Sequence, residues 1–166
     1  MRDSPSQKSS RYARLVFDGQ SFLMPRNQIP AVEPSIDLNI QSGPAGSVGE
    51  IILSGRHSPV YSLDRNLDLI GRIPPERRIC VLFSGALDGF GITCDELTPL
   101  KTDDVRIHPI PGCMRTPGLS AASLAVYNGR VACVLSAEII ARRVERVKPC
   151  ELSSRSQARP AELGGL

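Results

Sequence analysis

Nucleophilic chemistry in a protein needs a hydroxyl or thiol within hydrogen-bond reach of a base, and the base is usually histidine. This chain offers two histidines, His57 in "SGRHSP" and His108 in the proline-flanked "RIHPIPG", together with Cys80, Cys94, Cys113, Cys133 and Cys150. The densest cluster is "FGITCDEL", residues 90–97, where Cys94, Asp95 and Glu96 stand side by side. Either histidine could meet Cys94 or Cys113 in the folded chain, but the local signatures that usually surround a catalytic cysteine are missing. Asp95 and Glu96 are neighbours whose side chains diverge on an extended strand, so they form a general acid/base pair only if a turn intervenes. Asp103-Asp104, in the polar "PLKTDDVRIHP", lack the further oxygen ligands a calcium site requires and read as a solvated loop.

Metal and cofactor chemistry fare no better. Successive cysteines lie 14, 19, 20 and 17 residues apart, with no CxxC and no nearby CxxxH, which supports neither a zinc knuckle nor a disulfide framework. Cys80, Cys94 and Cys133 sit inside the apolar runs "ICVLF", "GITCDEL" and "RVACVL", where a free cysteine behaves as a small buried hydrophobe. There is no GxGxxG after a strand, no GxxxxGK[ST] loop and no HExxH. The residues therefore predict no catalytic group, no cofactor and no metal, and favour a binding or scaffolding role over an enzyme.

The elements that would position such residues follow from composition and pattern. With 166 residues and 41 % apolar content the chain is long enough for one substantial core, and a net charge of +3 is too weak a bias to suggest nucleic acid. No apolar run approaches the roughly 18 residues that span a bilayer, and "MRDSPSQKSSRYAR" lacks a signal's apolar core, so a soluble, cytoplasmic protein is expected. Residues 1–11 and 148–166 are polar, unperiodic and read as disordered tails around one folded domain, 12–147.

Within that domain short apolar runs alternate closely with Gly, Pro, Asp and Asn, the pattern of a β-rich sandwich or barrel. "ARLVFDGQSFLMP" predicts a hairpin, "EIILSGRHSPVYSL" two strands about a Gly55 turn, "ICVLF" and "FGITCDEL" a second hairpin, and "ASLAVYNGRVACVL" a third about Asn128-Gly129. Three prolines in "PRNQIPAVEPSIDLNI" favour an edge or irregular strand. The alternation of Phe90, Ile92 and Cys94 with Gly91, Thr93 and Asp95 predicts a half-buried strand. Leu63, Leu67 and Ile70, followed by Gly71 and Pro74-Pro75, have the spacing and stop signals of a short helix. Ser136 is a good N-cap for a final helix with Ile139, Ile140, Val144 and Val147 on its apolar face and Arg142, Arg143 and Arg146 outward.

Five of these segments, in order, resemble CheW-like domains, the coupling proteins of bacterial chemotaxis. "FGITCDEL" is similar to that family's "VGLLVDEV", "RRICVLFSGALDG" to "RVVVVELGGRR", and "ILSGRHSPVYSLDRNL" to "NLRGRVVPVVDLRRLL". "AVYNGRVACVLSAEIIA" is similar to "RLDGRLVLLLDLERLL", and "LVFDGQSFLMPRNQIPAVEP" to the opening hairpin "VFRLGDERYALPLEAVREV". The resemblance, from about residue 14 to 144, implies a mainly β fold of two small SH3-like five-stranded barrels with a short helix and a C-terminal helix. It also implies a non-catalytic adaptor that links chemoreceptor tips to a CheA-type histidine kinase through exposed sheet edges and a groove between the barrels.

The departures fall in one place. Ser54 stands at the family's arginine position and Ser62 at its aspartate position, while Arg56 follows Gly55 and His57 occupies a usually apolar site. Ser54, Gly55, Arg56 and His57 are accordingly the candidate partner-binding residues, and their departure points to a divergent adaptor of a non-classical array, such as a pilus-linked one. Two other classes compete: a small β-barrel enzyme using a Cys/His pair, and an SH3-like peptide module. The second is disfavoured by 4 % aromatic content and no Trp, because grooves for Pro-rich peptides are lined by aromatics.

Overall fold

A computed structural model describes residues 11–84, 89–118 and 120–152, with the side chains of 147–152 left aside. The N-terminal hairpin forms as its sequence predicts. β1 (Tyr12–Phe17) and β2 (Gln20–Pro25) pair in antiparallel register about Asp18 and Gly19, both at positive φ, the turn whose twist suits adjoining strands. The chain then passes through a 3₁₀ turn, Arg26–Gln28, into β3 (Ala31–Pro34), which among the described residues pairs only with the strand Ile79–Phe83, as a proline-bounded edge strand should. β4 (Gly49–Leu53) and β5 (Arg56–Leu63) form the hairpin about Ser54-Gly55. Beyond them come β6 (Leu69–Ile70), β7 (Ile79–Phe83) and β8 (Phe90–Cys94). β9 (Glu96–Leu100), β10 (Val105–His108), β11 (Ser123–Tyr127) and β12 (Arg130–Val134) follow, and α1 (Ala137–Leu152) closes the chain.

These strands make two sheets. One runs β10-β11-β12-β2-β1-β9; the other runs β3-β7-β8-β5-β4, with β6 added beside β5. Each is mostly antiparallel but contains one parallel pair, β12 with β2 and β5 with β8, so each sheet is knitted from distant parts of the chain. Each sheet curls over its own small core: Leu23, Ala125, Tyr127, Ala132 and Val134 in the first, Leu38, Val48, Ile51, Val60, Cys80 and Leu82 in the second. A larger core lies between them. Leu15, Phe17, Phe22 and Met24 from the first sheet meet Tyr61, Leu63, Val81, Phe83, Phe90, Ile92 and Cys94 from the second, and Ile140, Ala141 and Val144 of α1 complete it. Fully burying a side chain of this size stabilises the fold by about 1.5–3 kcal/mol. The mainly β architecture of two barrel-like sheets with a C-terminal helix is the expected one, though each sheet has six strands, not five.

α1 starts where Ser136 predicts. The Ser136 Oγ accepts the Ile139 N–H at 3.2 Å, and Gln28 Oε1, from the turn after β2, accepts the Ala137 N–H at 2.8 Å. The helix runs to Leu152, and the rest of the expected C-terminal tail, like residues 1–10, lies outside the described residues. So does most of the loop "SGALDG" between β7 and β8.

Three expectations need correction. The short helix at 63–70 does not form: β5 continues to Leu63, and Asp64 then organises a turn into β6. Its Oδ1 accepts the N–H groups of Asn66 at 2.8 Å and Asp68 at 3.0 Å, while Leu67 takes φ +64° and stays buried. An aspartate that satisfies nearby backbone donors competes with the helical ladder, and here it wins. β8 is not half-buried: all five residues are buried, because it lies centrally between β5 and β7 with a core on each face. Gly91 is part of the reason, since a Cβ there would come within 2.6 Å of Leu82 Cδ2. Finally, "PLKTDDVRIHP" is not a loop throughout: Pro99 and Leu100 end the edge strand β9, Asp103-Asp104 lie in a 3₁₀ turn and "VRIH" is the edge strand β10, its strand signal masked by the polar residues around it.

Candidate functional site

The β4–β5 hairpin positions the four candidate residues at a sheet edge. Ser54 (φ +50°) and Gly55 (φ +75°) form its tip, Arg56 lies opposite Leu53, and His57 lies opposite Ile52. Strand alternation sends Ile51, Ser58 and Val60 inward and leaves Ile52 and His57 outward. β4 pairs with β5 on one side and, among the described residues, meets only the isolated bridge Asn39–Glu50 on the other. Such an edge presents unpaired backbone donors and acceptors that can take an added strand. Val32, Ile36, Ile40 and Ile52 are exposed on the same sheet or its connections, Ile36 to 88 %.

Next to the tip, His57 Nδ1 contacts Glu50 Oε1, and Ser42 Oγ donates to Glu50 Oε2 at 2.6 Å. The Ser42 hydrogen bond holds the Glu50 carboxyl below the usual range, opposed by partial burial and reinforced by His57. Glu50 is therefore an ionised carboxylate with both oxygens engaged. Because the serine bonds the glutamate and not the histidine, this row does not activate a nucleophile.

The Cys/His arrangements weighed from the sequence are not brought together. In the parallel β5/β8 pair Val60 is level with Gly91, which sets His57 and Cys94 at opposite ends, six residue steps or roughly 20 Å apart at about 3.3 Å per residue. His108 ends β10 opposite Leu124, and Cys113 lies in the exposed turn Gly112–Met114 with no hydrogen bond to it among the described residues. Burial, then the Asp95 charge, pushes the Cys94 thiol up to about 12 against a weaker opposing effect of Arg77, and burial first pushes Cys80 up to about 11. A thiol held that far above neutrality is a poor nucleophile. Iodoacetamide at mildly alkaline pH is expected to label Cys113 in the native protein while sparing Cys80 and Cys94, with all three labelled in denaturant. Peptide mass mapping checks this, and labelling of native Cys94 at the rate of Cys113 would contradict its burial.

The strongest electrostatic feature is one that sequence reasoning passes over. Arg77, just before β7, has a side chain with no exposed surface. Its Nη2 donates to Asp18 Oδ1 at 3.0 Å, its Nε to Asp95 Oδ1 at 3.1 Å and its Nη1 to Thr93 Oγ1 at 3.4 Å, and its guanidinium lies 5.6 Å from the centre of the Phe17 ring. Thr93 in turn shares a 2.6 Å hydrogen bond with Ser62, which is fully buried. Asp18 belongs to the β1–β2 turn of one sheet and Thr93 to the other. Asp95 sits where the chain crosses between them, its N–H bonded to Val16 O at 2.9 Å. The cluster "CDE" thus resolves into a core thiol, a carboxylate that holds Arg77, and an edge residue, Glu96, that pairs with Arg14. The only hint in the sequence was the pair Arg77-Arg78 ahead of an apolar strand, which does not say which arginine turns inward.

Among the described residues no group of three or more His, Cys, Asp or Glu is placed to hold a metal, and no helix is long and apolar enough to cross a membrane. Scans of the sequence against family models and curated proteins give no match. The fold itself, two curled sheets with a C-terminal helix, has a counterpart among solved structures. It is shared with the scaffolding protein TtCheW from Thermoanaerobacter tengcongensis, whose crystal structure matches with a TM-score of 0.54 over 84 % of this chain and 93 % of that one, at 15 % identity.

Proposed function

We propose that this protein is a non-catalytic adaptor of bacterial chemosensory signalling that couples chemoreceptors to a CheA-type histidine kinase. The observation that carries the reading is the two-sheet fold shared with a scaffolding protein over most of both chains. It is supported by the largely unpaired edge of β4 among the described residues, the exposed isoleucines beside it and the burial of the Cys80 and Cys94 thiols in the core. Ser54, Gly55, Arg56 and His57 form the partner-facing tip, with Arg56 supplying an exposed positive charge and His57 braced by Glu50. Ser54 and Ser62, where the resembled segment has Arg and Asp, make it a divergent member suited to a non-classical array, such as a pilus-linked one. The neutral Ser62–Thr93 bond keeps a further carboxylate out of the buried surroundings of Arg77.

The test is a titration of the purified chain against the regulatory domain of a CheA-type kinase from the same organism. Saturable binding of micromolar strength is expected, weakened by substituting Arg56 and His57 with Ala. Absence of binding to every such kinase would overturn the reading. Ser54→Arg is expected to gain receptor or kinase binding despite the strain of an arginine at φ +50°, and no gain would count against a retargeted surface.

A further inference from the structure

Away from the β4–β5 edge, α1 and the chain leading to β11 enclose two adjoining depressions. The first, about 240 Å³, is lined by Ile139, Arg142, Arg143 and Arg146 of the helix and by Ser120 and Ala121 of the chain leading to β11. The second, about 340 Å³, shares Ala121 and is lined by Pro109, Ile110, Arg115 and Ala122. A cationic compartment therefore abuts a more apolar one.

The three helix arginines differ in their engagements. Arg143 is built in: its Nε donates to Ser120 Oγ at 2.6 Å, its Nη2 to Gly118 O at 3.4 Å, and its Nη1 lies 3.8 Å from Asp68 Oδ1. Arg142 pairs with Glu138 one turn back, an exposed contact that a better-placed carboxylate displaces readily. Arg146 is exposed and has no acidic partner among the described residues. One guanidinium thus shapes the wall while two are available to a ligand, and planar guanidinium forks suit carboxylates. Among the described residues no aromatic side chain lines either depression, which offers a base no stacking platform there. The cationic compartment is also smaller than the roughly 300 Å³ at which small-molecule pockets begin.

We propose that this groove docks a peptide segment of a partner protein that carries acidic side chains next to apolar ones, the carboxylates meeting Arg142 and Arg146 and the apolar groups seating against Ile139, Ala121 and Ile110. The site is separate from the hairpin tip and stands whether or not that tip binds a kinase. The test is a fluorescence-polarisation titration of the full chain with a fluorescein-labelled octapeptide of alternating glutamate and leucine, a matched glutamine–leucine peptide, and inorganic phosphate as competitor. The acidic peptide is expected to bind saturably, and the amide peptide roughly tenfold more weakly or less. Arg142→Gln with Arg146→Gln is expected to lose a similar factor at nearly unchanged melting temperature, since both side chains are exposed and the exposed Glu138 pair contributes little. Equal binding of the two peptides, or undiminished binding by the double variant, would overturn the proposal. So would binding of phosphate alone, which would make this a free-anion site.

Discussion

Replacing both Asp18 and Asp95 with asparagine is expected to destabilise the protein by about 3–5 kcal/mol, the usual cost of leaving a buried charge without its partners. The expectation rests on an asymmetry in the cluster. Arg77 is wholly buried, whereas Asp18 and Asp95 keep 38 % and 22 % of their side-chain surface exposed. Losing the carboxylate charges leaves a buried guanidinium without a counter-charge, its N–H groups bonded to neutral amide oxygens and Thr93 beside the Phe17 ring. Losing the arginine instead leaves two carboxylates that water can reach. Adding Arg77→Met to the double variant should therefore recover much of the loss, because an apolar side chain of similar length needs no counter-charge. Urea denaturation reads this directly as shifts in midpoint at constant slope. Double and triple variants of equal stability would show that these carboxylates do not hold Arg77.

Ile140→Ala is expected to lower stability by about 2–5 kcal/mol, the range for deleting a large buried aliphatic side chain. Ile140 is 1 % exposed and packs in the core that both sheets share, so its loss opens a cavity where the two halves and the helix meet. Leu15 and Phe17 from one sheet and Tyr61 and Leu63 from the other cannot all collapse into that space without separating from their own strands. Arg142→Ala, on the outer face of the same helix, is expected to change stability by no more than about 0.5 kcal/mol. Thermal melts of the two variants side by side provide the comparison. Both sheets should unfold in one transition, because the core joining them is larger than the one inside either.

Local chemistry was legible wherever it decided the outcome alone. Asp18-Gly19, Ser54-Gly55 and Asn128-Gly129 all carry the positive φ that a two-residue hairpin turn needs, and each turn can be read from its own residues. The Ser136 cap and the apolar face of α1 are equally local, as is the tendency of unpaired cysteines in apolar runs to be core. These signals by themselves suggested a β-rich sandwich or barrel with a closing helix, while two barrels and an adaptor were implied only by the resemblance to CheW-like domains.

What the sequence could not decide depended on contacts between distant residues. Asp64 caps a turn where helical spacing suggested a helix, and β8 is buried on both faces only because β5 arrives beside it from about thirty residues upstream. Arg77 meets Asp18 across 59 residues and Asp95 across 18, and no local pattern distinguishes it from the exposed Arg78. Short-range propensity sets turns, caps and strand alternation through bonds and sterics within a few residues. Which strands are central, which charges are buried and which arginines line a groove are set by the packing of two sheets and a helix, and only the tertiary structure decided them.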